Sequence, residues 1–315
     1  MKNGRNILIT GGVGFIGSNL AIKLYNEGHN IIIIDNMSTA NQDTLQLLPK
    51  DIKIILLDLG DKNNEKQIEN ILSQIDICYH LAAAIGVKLI QENPSSTLHN
   101  SLNINNLLFP LFEKYQTRVI YSSTSEVYGE TEKMTGSSEE DNLSIMPSHK
   151  PRGSYACSKL LSEFLIRSYT FPSTIVRFFN VVGRGQVSTY GHVLPKFIEC
   201  AKQNQNIPVY GNGYQIRSFC DIRDAIEMLS LIKEDKFINE LYNIGNDSNR
   251  STINELAELV KNILNSESNI IHIPFDKAFS TTFEEIYIRY PDTTKIKKYY
   301  TCKYSLKDII NSLKD

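Results

Sequence analysis

Three glycines, Gly11, Gly14 and Gly17, follow a short apolar run from Ile7 to Thr10 and lead into a helix-like stretch from Ser18 to Asn26. So tight a turn after a buried strand leaves few folds open. Glycine tolerates the turn, lets backbone approach an anion and lets the helix pack on the strand, while the helix N-terminus supplies N–H donors. Gly28 breaks the pattern before Ile31 to Ile34, so the chain reads strand, turn, helix, strand. Asp35 stands 18 residues beyond Gly17, at the end of the second strand. A carboxylate there accepts hydrogen bonds from both ribose hydroxyls of an adenosine and repels a 2′-phosphate. No Arg or Lys lies between Asn36 and Pro49 to neutralise such a phosphate, so NAD is expected rather than NADP. Phe15 and Ile16 inside the glycine run, and Asn36 after the aspartate, complete this part of the expected cofactor site.

The rhythm repeats. Ile54 to Leu57, Ile77 to Leu81, Arg118 to Ser122 and Thr174 to Phe178 are short apolar segments separated by stretches long enough for crossover helices. Continuous apolar strands joined by helices imply a parallel sheet covered on both faces. Asp58 and Leu59 after the third strand, and Leu81, Ala82 and Ala83 after the fourth, fall where adenine and pyrophosphate would be bracketed. Beyond Phe179 the alternation loosens into a Gly-Asn-Gly turn at Gly211 to Gly213, a strand-like Leu241 to Ile244 and a helix from Thr252 to Leu264. The polar stretch from Glu130 to Pro151 reads as a long loop over a cleft. The expected fold is an α/β protein with a Rossmann-like doubly wound parallel sheet and a smaller C-terminal mixed α/β substrate lobe. Residues 1–178, with a returning part around 214–245, form the NAD-binding domain in this reading, and 179–213 with 246–315 form the lobe. With 315 residues, 41% apolar and 22% charged, the chain is ordinary for a folded protein of that size.

A net charge of −2 offers no broad basic field for a phosphate backbone, so nucleic acid is not an expected partner. The aliphatic run Ile31 to Ile34 is far short of a membrane span, and the first residues lack a signal-peptide core, so a cytoplasmic protein is expected. The five cysteines are scattered without a Cys-x-x-Cys pair, and no two histidines share the i, i+4 spacing, so no metal is expected. The cysteines read as mostly buried small apolar residues.

Tyr155 and Lys159 sit at i, i+4 in Ser154-Tyr-Ala-Cys-Ser-Lys159, on one face of a helix expected to be capped near Ser154. A nearby ammonium lowers a phenol's pKa, and such a tyrosine can take a proton from a sugar alcohol while hydride leaves the same carbon. Tyr299 and Lys303 share the spacing but follow the dinucleotide fold, so they read as surface packing. The run Ser122-Ser-Thr-Ser-Glu-Val-Tyr-Gly129 leaves the C-terminal end of the fifth strand, where ligands of a doubly wound sheet bind. There Thr124 offers a hydroxyl to the sugar oxygen and Glu126 a carboxylate.

Together, Gly11 to Gly17, His80-Leu-Ala-Ala83, Ser123 to Gly129, Tyr155-x-x-x-Lys159, Arg177-Phe-Phe-Asn180, Val209-Tyr-Gly-Asn-Gly213 with Arg217, and Asn243-Ile-Gly245 resemble the extended short-chain dehydrogenase/reductase family, in its nucleotide-sugar epimerase/dehydratase branch. The resemblance implies a tightly held NAD, Tyr155 as base, Lys159 binding the nicotinamide ribose and Thr124 as helper hydroxyl. It further implies that Asn100 and Ser122 line the cofactor, that Asn180 and Arg217 hold the diphosphate of a UDP- or GDP-linked sugar, and that Lys196 lies near the base. A homodimer or homotetramer, paired through the tyrosine-bearing helix, is expected on the same ground.

Relatives of this kind first remove hydride from the sugar's 4-position and then diverge. Ser125 occupies the place where dehydratases carry an acid, so elimination of water lacks its proton donor. Arg289 in Tyr287-Ile-Arg-Tyr-Pro291 resembles an arginine that some UDP-glucuronate decarboxylases carry, whereas Ala83-Ala-Ile-Gly-Val-Lys88 is closer to the epimerases. The sequence therefore ranks a 4-epimerase or 4-dehydrogenase first and a UDP-glucuronate decarboxylase second, ahead of a 4,6-dehydratase or a noncatalytic NAD-binding scaffold.

Overall fold

The structure, a computed structural model, describes residues 4–38, 40, 42–83, 93–131, 133–186, 192–278 and 285–314. The first half builds β1 (Asn6–Thr10), α1 (Phe15–Asn26), β2 (Asn30–Asp35), α2 (Gln42–Leu47), β3 (Lys53–Leu56), α3 (Glu65–Leu72), β4 (Ile77–His80), α4 (Pro94–Tyr115), β5 (Arg118–Thr124), α5 (Gly153–Ser168) and β6 (Ser173–Phe178). The rest contributes β7 (Val181–Val182), α6 (Val193–Lys202), β8 (Ile207–Tyr210), β9 (Ile216–Ser218), β10 (Cys220–Asp221), α7 (Ile222–Ile232), β11 (Glu240–Ile244), β12 (Arg250–Thr252), α8 (Ile253–Leu264), β13 (Ile270–Ile273) and β14 (Ile288–Arg289).

Seven parallel strands form the main sheet in the order β11-β6-β5-β4-β1-β2-β3, a Rossmann-like doubly wound arrangement whose strand order reverses beside β1. Period-two side-chain alternation sorts its apolar residues onto two faces. Ile7, Ile9, Ile31 and Ile33 pack with α1 and α7, whereas Leu8, Ile34, Cys78 and Val119 pack with α3, α4 and α5. Both faces are covered, which is why these strands read as unbroken apolar runs. A third apolar cluster joins α6, β8, α8 and the C-terminal helix Leu306–Ser312.

Beyond β6, small sheets pair β7 with β10, β9 with β12 and β14, and β8 with β13. Edge strand β14 pairs in parallel with β9, opposing Arg289 to Arg217, and β12 pairs with β9 on its other side. Residues 133–152 cross this edge without forming a helix or a named strand; a bridge ties Ser137 to Pro291. Among the described residues no helix is long and apolar enough to cross a membrane. Cys78, Cys200 and Cys220 are buried, as expected for most of the five, while Cys302 is half-buried and Cys157 on α5 is exposed.

Two helix starts differ from the sequence reading. The first begins at Phe15 rather than Ser18, because Gly14 is already extended and acts as N-cap. The helix carrying Tyr155 is not capped by Ser154: Gly153 and Ser154 donate to Lys150 and Pro151 carbonyls, and Arg152 is the N-cap residue with no side-chain cap bond. A turn from Lys150 therefore delivers this helix. Tyr299 and Lys303 fall between helices; Tyr299 lies edge-on to Phe237, with ring centroids 4.8 Å apart.

Candidate active site

The glycine turn is built for close approach. Gly11 has φ +68, and a Cβ on Gly17 would stand 2.4 Å from the Gly11 carbonyl oxygen, so only glycine lets α1 start this near β1. No side chain caps α1, which leaves its first N–H groups available to an anion. Leu81, Ala82 and Ala83 follow β4 against the same turn: Ala82 N–H donates to Thr10 Oγ1 at 3.1 Å, and a Cβ on Gly11 would meet Ala82 at 2.9 Å. Ala84 to Lys88 of the motif singled out above lie outside the described residues.

Asp35 stands at the end of β2 beside the glycine turn. Its Oδ2 accepts from Val13 N–H at 3.0 Å and its Oδ1 from Met37 N–H at 2.8 Å, which leaves each oxygen a second lone pair for a ribose hydroxyl. Asn36 donates to Asp58 Oδ2 at 3.4 Å, bringing together the ends of β2 and β3, while the Leu59 side chain belongs to the core. Asn100, Tyr155, Lys159, His80, Ala82 and Ala83 line one pocket further along the sheet edge. An uncapped helix start, a glycine cradle and a carboxylate with spare acceptor capacity beside them together fit a dinucleotide. If Asp35 reads the ribose, Asp35→Ala should weaken NAD and narrow its advantage over NADP by about tenfold or more, measured as the two dissociation constants. An unaltered ratio would show that other residues make the choice.

Tyr155, Lys159 and Glu163 recur every four residues on the face of α5 that packs on β5. Lys159 Nζ donates to the Ser122 carbonyl at 2.8 Å and to Ser122 Oγ at 3.4 Å, and lies 4.9 Å from the Tyr121 ring centroid. Burial pulls its pKa down to about 7, against the opposing charge of Glu163. Glu163 is held in turn by Ser123 Oγ at 2.5 Å and by Arg177, whose Nε and Nη2 donate at 3.0 and 2.7 Å. A bidentate buried pair of this kind locks α5 to β5 and β6.

The phenol itself departs from the sequence expectation. Burial pushes the Tyr155 pKa well above its ordinary value, the Glu126 charge adds to this, and a hydrogen bond with Thr124 opposes it only in part. The Arg289 charge also opposes it, while the Lys159 amine donates to the Ser122 carbonyl. The i, i+4 spacing places the two residues on one face without making the ammonium a partner of the phenol.

Glu126, two residues beyond Thr124, anchors a largely enclosed charge cluster in which Arg152 and Arg217 are buried and Glu126, Glu285 and Arg289 half-buried. Arg289 Nη1 donates to its Oε1 at 2.7 Å and Arg152 Nη2 to the same oxygen at 3.3 Å. Burial alone would raise this carboxyl's pKa, but the charges of Arg152 and Arg289 outweigh it and hold the group below its usual range. Arg289 Nη2 also donates to Asn180 Oδ1 at 3.2 Å. Arg217 donates to Glu285 at 2.8 Å, as does Arg152 at 3.2 Å; burial brings Arg217 down to about 9, helped by the nearby charge of Arg289. The fold thus gathers Asn180, Arg217 and Arg289 beside Glu126. Lys196 is not drawn in: it lies on the exposed face of α6 and pairs with Glu199 at 3.2 Å. Ser125 is buried at the turn after β5.

Sequence reasoning missed Arg152 and Glu285. Arg152 precedes Tyr155 by three residues, a helical spacing that could have flagged it. Glu285 lies in irregular chain, and only its folded neighbours reveal it.

A family model described as the NAD dependent epimerase/dehydratase family matches residues 7–245. The chain belongs to that family. As a member, the protein uses NAD, the cofactor that its glycine turn and Asp35 fit. It is 37% identical to a UDP-N-acetyl-alpha-D-glucosaminuronate decarboxylase of Bacillus cytotoxicus, over 93% of this chain and 91% of that one. It is 31% identical to UDP-glucuronic acid decarboxylase 1 of Danio rerio over 87% of its own length, spanning 64% of that relative. Among solved structures, UDP-glucose 4-epimerase of Thermotoga maritima with UDP-glucose superposes with a TM-score of 0.85 at 25% identity, covering 98% of this chain and 97% of that one. The family member described here is thus an enzyme of the nucleotide-sugar epimerase and decarboxylase group.

Proposed function

We propose that the protein decarboxylates a UDP-linked uronic acid after oxidising it at the 4-position, with a 2-acetamido uronate as the first candidate substrate. The observation that carries this is the half-buried Arg289–Glu126 pair, 2.7 Å between Nη1 and Oε1, set two residues from the threonine that hydrogen-bonds Tyr155. The Bacillus cytotoxicus relative at 37% identity supports it. This reverses the order in which the sequence ranked the two reactions. The 4-epimerase remains the second reading, favoured by the likeness to the Thermotoga maritima enzyme.

Bound at the glycine turn, NAD would supply the hydride acceptor for oxidation at C4 and the donor for its reversal. The protein's own residues do the rest. Tyr155 takes the proton of the 4-hydroxyl while Thr124 orients that oxygen, and Lys159 holds the nicotinamide ribose and supplies positive charge nearby. Asn180 and Arg217 hold the diphosphate, for which a guanidinium is a matched bidentate donor. With C4 a ketone, the C6 carboxylate belongs to a β-keto acid. The C5–C6 bond breaks, its electron pair moves into the C4–C5 enolate, C6 leaves as carbon dioxide, and C5 then takes a proton. Arg289 and Arg152 seat the carboxylate before that bond breaks, fixing its torsion against the ketone plane. A carboxylate pinned in this way also resists the ring turnover that epimerisation requires, which is the physical reason for the order given.

Incubating the NAD-loaded protein with UDP-glucuronate and its 2-acetamido analogue, and following carbon dioxide and product mass, tests the reading. Release of one carbon dioxide per product is expected; unchanged mass with an inverted C4 would replace it by the epimerase. The assembly we propose is a homodimer through α5, where Cys157, Leu161 and Phe164 form an exposed stripe and Phe164 keeps 68% of its surface accessible. Phe164→Glu should halve the mass seen by sedimentation, and an unchanged mass would place the contact elsewhere.

A further inference from the structure

The cluster around Glu126 leaves one contact unexplained. Glu130 lies four residues further on, just past the turn that carries Glu126. Its Oε2 accepts from Tyr287 N–H at 2.6 Å and its Oε1 from Ile288 N–H at 3.3 Å, the two residues directly before Arg289. Strand β14 has β9 on its other side, with Arg289 opposite Arg217. The direction of Glu130 is set by Gly129, whose φ of +64 and tight approach to Ser144, 2.6 Å from an added Cβ to the carbonyl oxygen, admit no other residue without strain.

One short segment therefore grips the arginine strand at two points. Glu126 takes the Arg289 guanidinium, and Glu130 takes the backbone N–H groups that lead into it. A guanidinium on a flexible stem is fixed only when its own backbone is fixed, and an edge strand's outward N–H groups would otherwise be left to solvent.

We propose that Glu130 is a positioning residue that sets Arg289 for the carboxylate step, so that it governs what becomes of the 4-ketone and not the rate at which the ketone forms. This rests on the decarboxylase reading above. Oxidation depends on Tyr155, Lys159 and Thr124, which stand on α5 and β5 and make no bond to Glu130. Loss of carbon dioxide depends on Arg289. Loosening β14 should separate the two.

The test uses NAD-loaded full-length protein in single turnovers with the UDP-uronate that the wild type decarboxylates, following NADH absorbance and carbon dioxide together. In Glu130→Ala the NADH signal should form at the wild-type rate and decay with carbon dioxide about fivefold more slowly, the scale of losing hydrogen bonds to a charged group near solvent. Glu130→Gln keeps one acceptor oxygen and should fall between the two. Equal slowing of both phases, with a lower melting temperature, would mark Glu130 as structural only and overturn the assignment; so would an unchanged ratio of the phases. A wild type that releases no carbon dioxide from either UDP-uronate fails one stage earlier, removing the decarboxylase reading itself along with the step assigned to Glu130.

Discussion

Tyr155→Phe should bind NAD as the wild type does and turn over its sugar about 10² to 10⁴ times more slowly, since it removes the proton acceptor and leaves the ring. The structure sharpens this beyond the usual argument. Burial and Glu126 hold the phenol well above its ordinary pKa, and Thr124 is the hydrogen-bond partner that opposes them. In the ligand-free protein the phenolate form is therefore scarce at neutral pH, so kcat/KM of the wild type should climb as pH rises through neutrality. The Phe variant has no such group and should give a flat profile. A steep profile that survives in Tyr155→Phe would assign the titration to another residue, with Lys159, whose pKa burial brings to about 7, the first to examine. Near-normal turnover of the variant would remove Tyr155 from the chemistry.

The contrast between that pKa and its sequence expectation shows where reading a chain reaches its limit. Strands β1, β4, β5 and β6 were legible because they are buried on both faces, and such strands must be short apolar runs. The glycine turn was legible because close approach and positive φ admit few alternatives. The strands of two or three residues at β7, β9, β10, β12 and β14 carry no period long enough to detect. Helical spacing placed Tyr155 and Lys159 on one face, yet it could not say that the amine would turn to Ser122 or that burial would dominate the phenol. Arg217 and Arg289 were found through motifs, but their opposition across β9 and β14, and the carboxylates shared with Arg152, arise from pairings between distant parts of the chain. Lys196, carried over by resemblance alone, stands on the exposed face of its helix and pairs with Glu199.

Arg289→Gln is the change that most directly separates the two reactions this site could run. The variant keeps a planar hydrogen-bonding end, so Asn180 can still be contacted, but it removes the cation 2.7 Å from Glu126. Truncating one partner of a buried pair costs about 2 to 5 kcal/mol when the other charge is stranded. Here Arg152 still donates to the same Glu126 oxygen, so the fold should survive with a modest fall in melting temperature. Carbon dioxide release should fall by about 10²-fold or more, because the carboxylate loses the fork that fixes its torsion at the reacting bond. Oxidation at C4, which rests on Tyr155 and Thr124, should continue, and the ketone should accumulate with NADH or be reduced back to starting sugar. If reduction from the opposite face becomes possible once the carboxylate is loosely held, an inverted 4-epimer should appear among the products. That outcome would tie the decarboxylase and epimerase chemistries of this family to the tightness with which one arginine holds one carboxylate. Undiminished carbon dioxide release from Arg289→Gln would show instead that Arg152 alone seats the group, and that the strand carrying Arg289 serves the diphosphate.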